Sequence, residues 1–274
     1  MAKRNSYLQA GAQLADHLYT VFLFMKSDFP LVIVPSLLCG MVLVGPTSIS
    51  LFTAAWIWQN LHLLAFNIQN QLTGVEEDRL CKPDRPFASG RVSLESGPTL
   101  YLVALSASIA WSALHDLLPL SIIYTCGTWS YNELELATNP FLKTPMGGIA
   151  YWCYVGGTTY IMGGHQTLSA NARYGILISG LIFGLTGHMQ DFKDRSGDAR
   201  MGRRTIPLLL PQRVARWSLL LLISACTYAL IVIWSPPFIV SCILTIMSVI
   251  TVTTLVGTHS EEDDRVNFCW YEVS

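Results

Sequence analysis

Residues 29–75, FPLVIVPSLLCGMVLVGPTSISLFTAAWIWQNLHLLAFNIQNQLTGV, run for 47 positions without one Asp, Glu, Lys or Arg. A helix that crosses the hydrocarbon core of a bilayer needs about 20 apolar residues, so this stretch holds two crossings. Gly45-Pro46-Thr47-Ser48 interrupts it where a tight turn between them belongs. Outward from there, charge-free stretches recur at 96–115, 117–132, 144–172, 174–190 and 217–260, the last broken by Ser235-Pro236-Pro237. Together they predict an all-α, polytopic bundle of about eight transmembrane spans.

Composition agrees with this reading. The chain is 51% hydrophobic and 13% charged, with a mean hydropathy of +0.42, whereas soluble domains carry about 25% charged residues. A net charge of -1 and the lack of a basic arm speak against nucleic acid as a partner. Seven cysteines form no CxxC pair, and five fall inside predicted spans, which argues against a disulfide framework or a zinc site. The expected organisation is a polar N-terminus over 1–17, a transmembrane domain over 18–258 and a short acidic tail over 259–274. No cleavable signal pattern precedes the first span.

With eight spans, one membrane face receives the N-terminus, three loops and the tail, and these hold 16 of the 17 Lys and Arg, with only Arg173 opposite. The positive-inside rule makes that face cytoplasmic, so chemistry is expected there. Two loops on that face mix carboxylates with Arg and Lys.

The sharper one reads DFKDRSGDARMGRRTIP, residues 191–207. If the preceding helix continues past Gln190, Asp191, Asp194 and Asp198 share one face at i, i+3 and i+7. Three such like charges repel unless a hard cation sits among them, and Mg2+ bound by carboxylates and substrate phosphates is the usual case. Arg203 and Arg204, like Arg195 and Arg200, are suited to gripping diphosphate oxygens. The bland alternative is a solvated loop lying on anionic lipid headgroups. His188, one turn before Asp191, is placed either to tune that carboxylate or to pack.

The other loop reads NQLTGVEEDRLCKPDRPFASGR, residues 70–91, with Asn70, Gly74 and Asp78 on one helical face and Pro83 and Pro86 stopping the helix. Polar residues inside a span mark functional sites by default. Interhelical hydrogen bonding by Asn67, Gln69, Asn70 and Gln71 is the competing reading.

These two segments resemble the paired aspartate-rich signatures of the UbiA superfamily of intramembrane prenyltransferases, and the resemblance covers roughly residues 18–266. It implies a helical bundle around a membrane-embedded cavity, and a prenyl diphosphate substrate held through Mg2+ by both motifs. The first motif departs from the transferase pattern, with Gln71 and Gly74 at two aspartate positions. In that respect it is similar to a fungal branch containing membrane-bound sesquiterpene cyclases. The family's usual last helix is missing from the eight-span count. By this resemblance Asp78, Asp191, Asp194 and Asp198 are the catalytic and metal-binding residues. Asn70, Lys82, Arg85, Arg91, Tyr131, Lys143, Arg203 and Arg204 contact the diphosphate.

The implied activity is Mg2+-dependent ionisation of a prenyl diphosphate, farnesyl diphosphate for a sesquiterpene cyclase of secondary metabolism. Two alternatives stay open: a transferase acting on an aromatic or polyketide acceptor, and a catalytically silent relative. The expected location is a multi-pass protein of the endoplasmic reticulum, with the lipid bilayer as its other partner; protein partners are not specified by the sequence.

Overall fold

Two prolines shape the start of the chain. The computed structural model describes residues 2–257 and 259–273, and among them every regular element is helical. Helix α1 (Ala2–Met25) leads to a π-helical turn, Phe29–Ile33, and then to α2 (Val34–Val44). Gly11–Met25 and Phe29–Val44 meet at 65°: the break falls just before Pro30, whose missing N–H cannot carry the hydrogen-bond ladder through, and Pro35 opens α2 after the π-helical turn. Gly45 ends α2 at a positive φ of 79°, and Ser48 caps α3 (Ile49–Thr73) by accepting from the Leu51 N–H at 3.2 Å. The turn expected at 45–48 is therefore present.

After α3 follow α4 (Val75–Cys81), α5 (Gly97–Leu114), α6 (Leu118–Asn132), α7 (Pro140–Met162) and α8 (Ala170–Thr186). A 3-10 segment, Gly187–Asp194, leads to the short α9 (Arg195–Arg200) and α10 (Ile206–Leu209), then α11 (Gln212–Trp234), α12 (Phe238–Gly257) and α13 (Glu261–Val273). The chain forms two compact units: residues up to Glu133 with Cys153–Ile176, and Leu134–Trp152 with Leu177 onward.

Four helical segments are long and apolar enough to cross a membrane, Ile49–Thr73, Leu94–Leu114, Gln212–Trp234 and Phe238–Gly257, and the bent pair at the start makes a fifth. The other three expected spans are also helices. Two are short, α6 at 15 residues and α8 at 17. The third, α7, dilutes its apolar residues with Gly, Thr and Tyr.

In the first unit the core is built on α3. Trp58 is fully buried and its indole N–H donates to Ser112 Oγ at 2.8 Å; His62 Nε2 meets Ser121 Oγ at 2.7 Å, and Ser112 and Ser121 bond each other. This buried ladder ties α3 to α5 and α6, the interhelical polar bonding that apolar surroundings favour. Gly157 on α7 leaves the room that the Trp58 ring fills, and any Cβ there would collide with it.

In the second unit α7 and α8 approach backbone to backbone, since a Cβ on Gly148 would lie 2.6 Å from both the Gly180 carbonyl and the Gly184 Cα. Within the expected tail over 259–274, Glu261–Val273 forms a docked helix: Asp264 of α13 is fully buried, with Asn267 and Phe268 beside it. Likewise the expected polar N-terminus over 1–17 belongs to α1, which runs on without a break to Met25.

Candidate functional site

The first motif lies where α3 gives way to α4. Gly74 marks the joint, but the ladder is kept: the Gly74 N–H donates to Asn70 O, and the Asp78 N–H to Gly74 O, each at 3.0 Å. Asn70, Gly74 and Asp78 are thus stacked as the spacing predicts. Asp78 is 3% exposed and receives Arg85 Nη1 on both oxygens, at 2.9 and 3.0 Å. A carboxylate this buried requires such a partner. Lys82 follows at the end of α4, half-buried.

Two neighbours of Asn70 have structural work. Gln71 donates from Nε2 to the Phe24 carbonyl at 3.1 Å, and Gln69 donates to Glu133 at 3.0 Å while accepting from Asn132 at 3.2 Å. For these two, the interhelical reading is the one realised. Tyr131 stands at the end of α6, edge-on to Phe66 at 5.9 Å between ring centroids, one turn before Asn70.

Arg91 is drawn elsewhere. It pairs with Asp16 on α1, donates from Nε to Thr20 Oγ1 at 2.8 Å and lies over the Tyr19 ring. The structure does not bring it to Asp78, because Gly90, at φ 73°, turns the chain toward α1.

The second motif corrects the expected geometry. Helix α8 stops at Thr186 instead of continuing past Gln190, and Gly187–Asp194 winds as a 3-10 helix. Gly187 and the polar run that follows give little support for α-helix. With three residues per turn, Asp191 and Asp194 remain stacked, while Asp198 sits separately on α9. Asp191 and Asp198 are 4% and 6% exposed; Asp194 is half-buried.

Cations answer these carboxylates. Lys143, from the first turn of α7, is half-buried and reaches the buried Asp191 Oδ1 at 2.6 Å, and Arg203 lies 3.6 Å from Asp198. Arg204 is exposed. Burial pushes the Asp198 carboxyl up from its ordinary value; Lys143 and Arg203 oppose the shift, and the negative charges of Asp191 and Asp194 add to it. Burial holds His188 below the usual histidine value against the pull of Asp191. Among the described residues no three His, Cys, Asp or Glu side chains are grouped closely enough to hold a metal ion. The donor set of the second motif nevertheless fits Mg2+: hard carboxylate oxygens, like-charged and mutually repelling, with cationic side chains at hand for phosphate.

Behind this motif lies a network that no sequence spacing announces. Arg216 is 1% exposed and binds Asp264 bidentately, with Nη1 and Nη2 each at 2.7 Å, while Arg195 reaches the same carboxylate at 3.1 Å. The Arg216 guanidinium lies 4.8 Å from the ring centroid of Phe192, and Lys193 lies 3.7 Å over Phe268. Residues 192 and 193 belong to the motif, so α13 and α11 brace it from behind. Arg195, an apparent diphosphate ligand by sequence, is used here instead.

Residues 32–272 match the UbiA prenyltransferase family. The chain belongs to that family. It is 38% identical over 264 residues to the fumagillin beta-trans-bergamotene synthase of Aspergillus fumigatus, covering 96% of this chain and 91% of that one. A diterpene cyclase of Hericium erinaceus is 28% identical over 58% of this chain and 51% of its own length. The fold is that of a UbiA homolog from Archaeoglobus fulgidus, solved bound to GPP and Mg2+, with a TM-score of 0.72 at 12% identity over 93% of this chain and 96% of that one. The UbiA assignment accounts for the all-helical architecture.

Proposed function

We propose that the chain is a membrane-bound terpene cyclase: it ionises a prenyl diphosphate, farnesyl diphosphate in the first instance, and closes the resulting cation to a sesquiterpene. The observation that carries this reading is the 38% identity to a fungal bergamotene synthase over 96% of the chain, joined to a first motif in which Gln71 and Gly74 replace aspartates.

In the ionisation the allylic C–O bond breaks heterolytically and its electron pair leaves on the diphosphate oxygen. Asp191, Asp194 and Asp198 would hold Mg2+ in the second motif, and Asp78 in the first. When bound, Mg2+ neutralises charge developing on the leaving diphosphate. Lys143, Arg203 and Arg204, with Lys82 and Arg85, supply donors to the diphosphate oxygens; Asn70 and Tyr131 complete the polar contacts. Arg85 and Lys143 are paired with carboxylates, which holds each in place to meet a phosphate. Preorganised charge of this kind stabilises the leaving group without reorganisation at the moment of bond cleavage. The cation closes on its own double bonds and loses a proton to give hydrocarbon.

We further place the motif loops on the cytoplasmic side of the endoplasmic reticulum membrane, on the distribution of 16 of 17 basic residues. The family's prenyltransferase description supports one competing reading, transfer of the cation to an aromatic acceptor. Expression in a microbial host that makes farnesyl diphosphate, with headspace gas chromatography and mass spectrometry, tests the proposal. A new cyclic sesquiterpene, absent with Asp191→Ala, is expected. No hydrocarbon from chain verified in the membrane, together with prenylated product when acceptors are added, would replace the cyclase by the transferase.

A further inference from the structure

Where α11 begins and α12 ends, a cavity of ≈ 410 Å3 is lined by Arg213, Arg216, Trp217, Val256 and His259. None of the five is among the residues proposed to handle the prenyl diphosphate. Arg216 supplies a buried part of the wall. Its Nη1 donates to the Leu255 carbonyl and to Asp264, and its Nη2 to Asp264, yet its Nε is buried with no acceptor among the described residues. That N–H is enclosed, so Arg213 and His259 are the polar side chains of the lining that are open to a ligand.

Arg213 supplies the positive charge for an anion. Asp264 is already shared by Arg216 and Arg195. Glu261 accepts from Ser196 and Asp263 from Ser260, and neither carboxylate pairs with Arg213. Arg213 is exposed, and among the described residues no ion pair is found for it. His259 is exposed beside it, its carbonyl accepting from Arg195.

The rest of the lining is apolar. Trp217 and Val256 sit on the two helices that, by length and composition, are candidate spans. The cavity is at the end of both, the level at which bilayer headgroups lie and at which Trp and Arg anchor. An unpaired guanidinium and an adjacent indole together suit a phosphate attached to a hydrophobic body.

We propose that this cavity is a binding site for the phosphate of an anionic membrane lipid, held by Arg213 and His259, with Trp217 and Val256 against the glycerol and upper acyl carbons. The site is distinct from the prenyl diphosphate site, so it stands or falls without that reading.

The test uses the full chain in nanodiscs of phosphatidylcholine containing a minority of phosphatidic acid, with native mass spectrometry counting the lipids retained on release. Wild type is expected to keep phosphatidic acid over phosphatidylcholine. The double variant Arg213→Gln/His259→Gln should lose about tenfold of that preference, the worth of one charge-assisted contact. Both substituted side chains are exposed, so the melting temperature in pure phosphatidylcholine should not change; Arg216 is left intact because its removal would strand Asp264. An absent preference in wild type, or an equal one in the double variant, would overturn the proposal. A parallel titration with inorganic phosphate in excess EDTA separates the sources: if phosphate binds wild type more tightly than the variant while the lipid shows no preference, the anion site is real but the lipid assignment is wrong.

Discussion

Asp191 and Lys143 form an ion pair at 2.6 Å, and the two positions should fail differently when changed. Asp191→Ala or Asp198→Ala removes oxygen donors for the metal, and product formation should drop by about 10²-fold or more, with membrane insertion unchanged on a blot of washed membranes. Lys143→Met leaves the carboxylates but takes away a phosphate contact; the expected result is a raised KM for the prenyl diphosphate that exceeds the fall in kcat, read from initial rates. Near-normal rates for either aspartate variant would sink the assignment. At this scale the sequence was partly legible. Asp191 and Asp194 share a face as their spacing predicts while Asp198 does not, and two of the four glutamine and asparagine side chains weighed at the first motif, Gln69 and Gln71, proved to be interhelical bonds. What hid that difference is that the residue type of a polar side chain inside a span does not reveal the partner it has found on another helix. The Phe24 carbonyl, 47 positions from Gln71, leaves no mark in the motif.

At the scale of elements, α13 is the principal departure from expectation. A cluster of four acidic residues at 261–264 reads as a solvated tail, but one of them, Asp264, is fully buried against Arg216. Cutting one partner of such a buried pair strands the other, so Asp264→Ala should destabilise the second unit by about 3 kcal/mol or more, seen as a lower melting temperature in detergent. Faster hydrogen exchange over 187–200 in the same variant would show that the brace acts on the motif. A second element-scale expectation concerns the turns at 115 and 165, where His115 Nδ1 and His165 Nε2 are 2.9 Å apart. Burial, and then the nearness of His165, hold His115 below its ordinary value, with Asp116 opposing. A base whose folded value is lowered binds fewer protons folded than unfolded. The stability it contributes is therefore present above the ordinary histidine range and is lost as pH falls toward the lower folded value. Melting curves from neutral to mildly acidic pH should show this loss, and His115→Gln should flatten it. The helix ends were legible wherever Gly or Pro wrote them, as at 45–48 and 235–237. The stop at Thr186 was not, since a continuing α-helix and a 3-10 turn put Asp191 and Asp194 on one face alike.

For the whole molecule, the proposed chemistry requires a divalent cation. Membranes assayed in excess EDTA should give no product, and added Mg2+ should restore it; full turnover in EDTA would remove the metal from the mechanism. Fold class was readable from charge-free stretch lengths alone, because hydrocarbon thickness fixes how long a crossing must be. Span-by-span assignment was less so, since α6, α7 and α8 are short or diluted with small and polar residues that a neighbouring helix tolerates and lipid does not.

The buried ladder on α3 also bears on how the chain is made. During synthesis α3 emerges with Gln59 and His62 already in place. Gln59 finds partners at once, on Val32 and Ser36 of the preceding segment. His62 has to wait 50 residues for Ser112 and 59 for Ser121. A nascent α3 released singly into lipid would expose an imidazole and an indole N–H to hydrocarbon. Its stable home exists only once α5 and α6 have followed, so biogenesis should hold α3 at the insertion machinery and release the three helices together as one folding cohort.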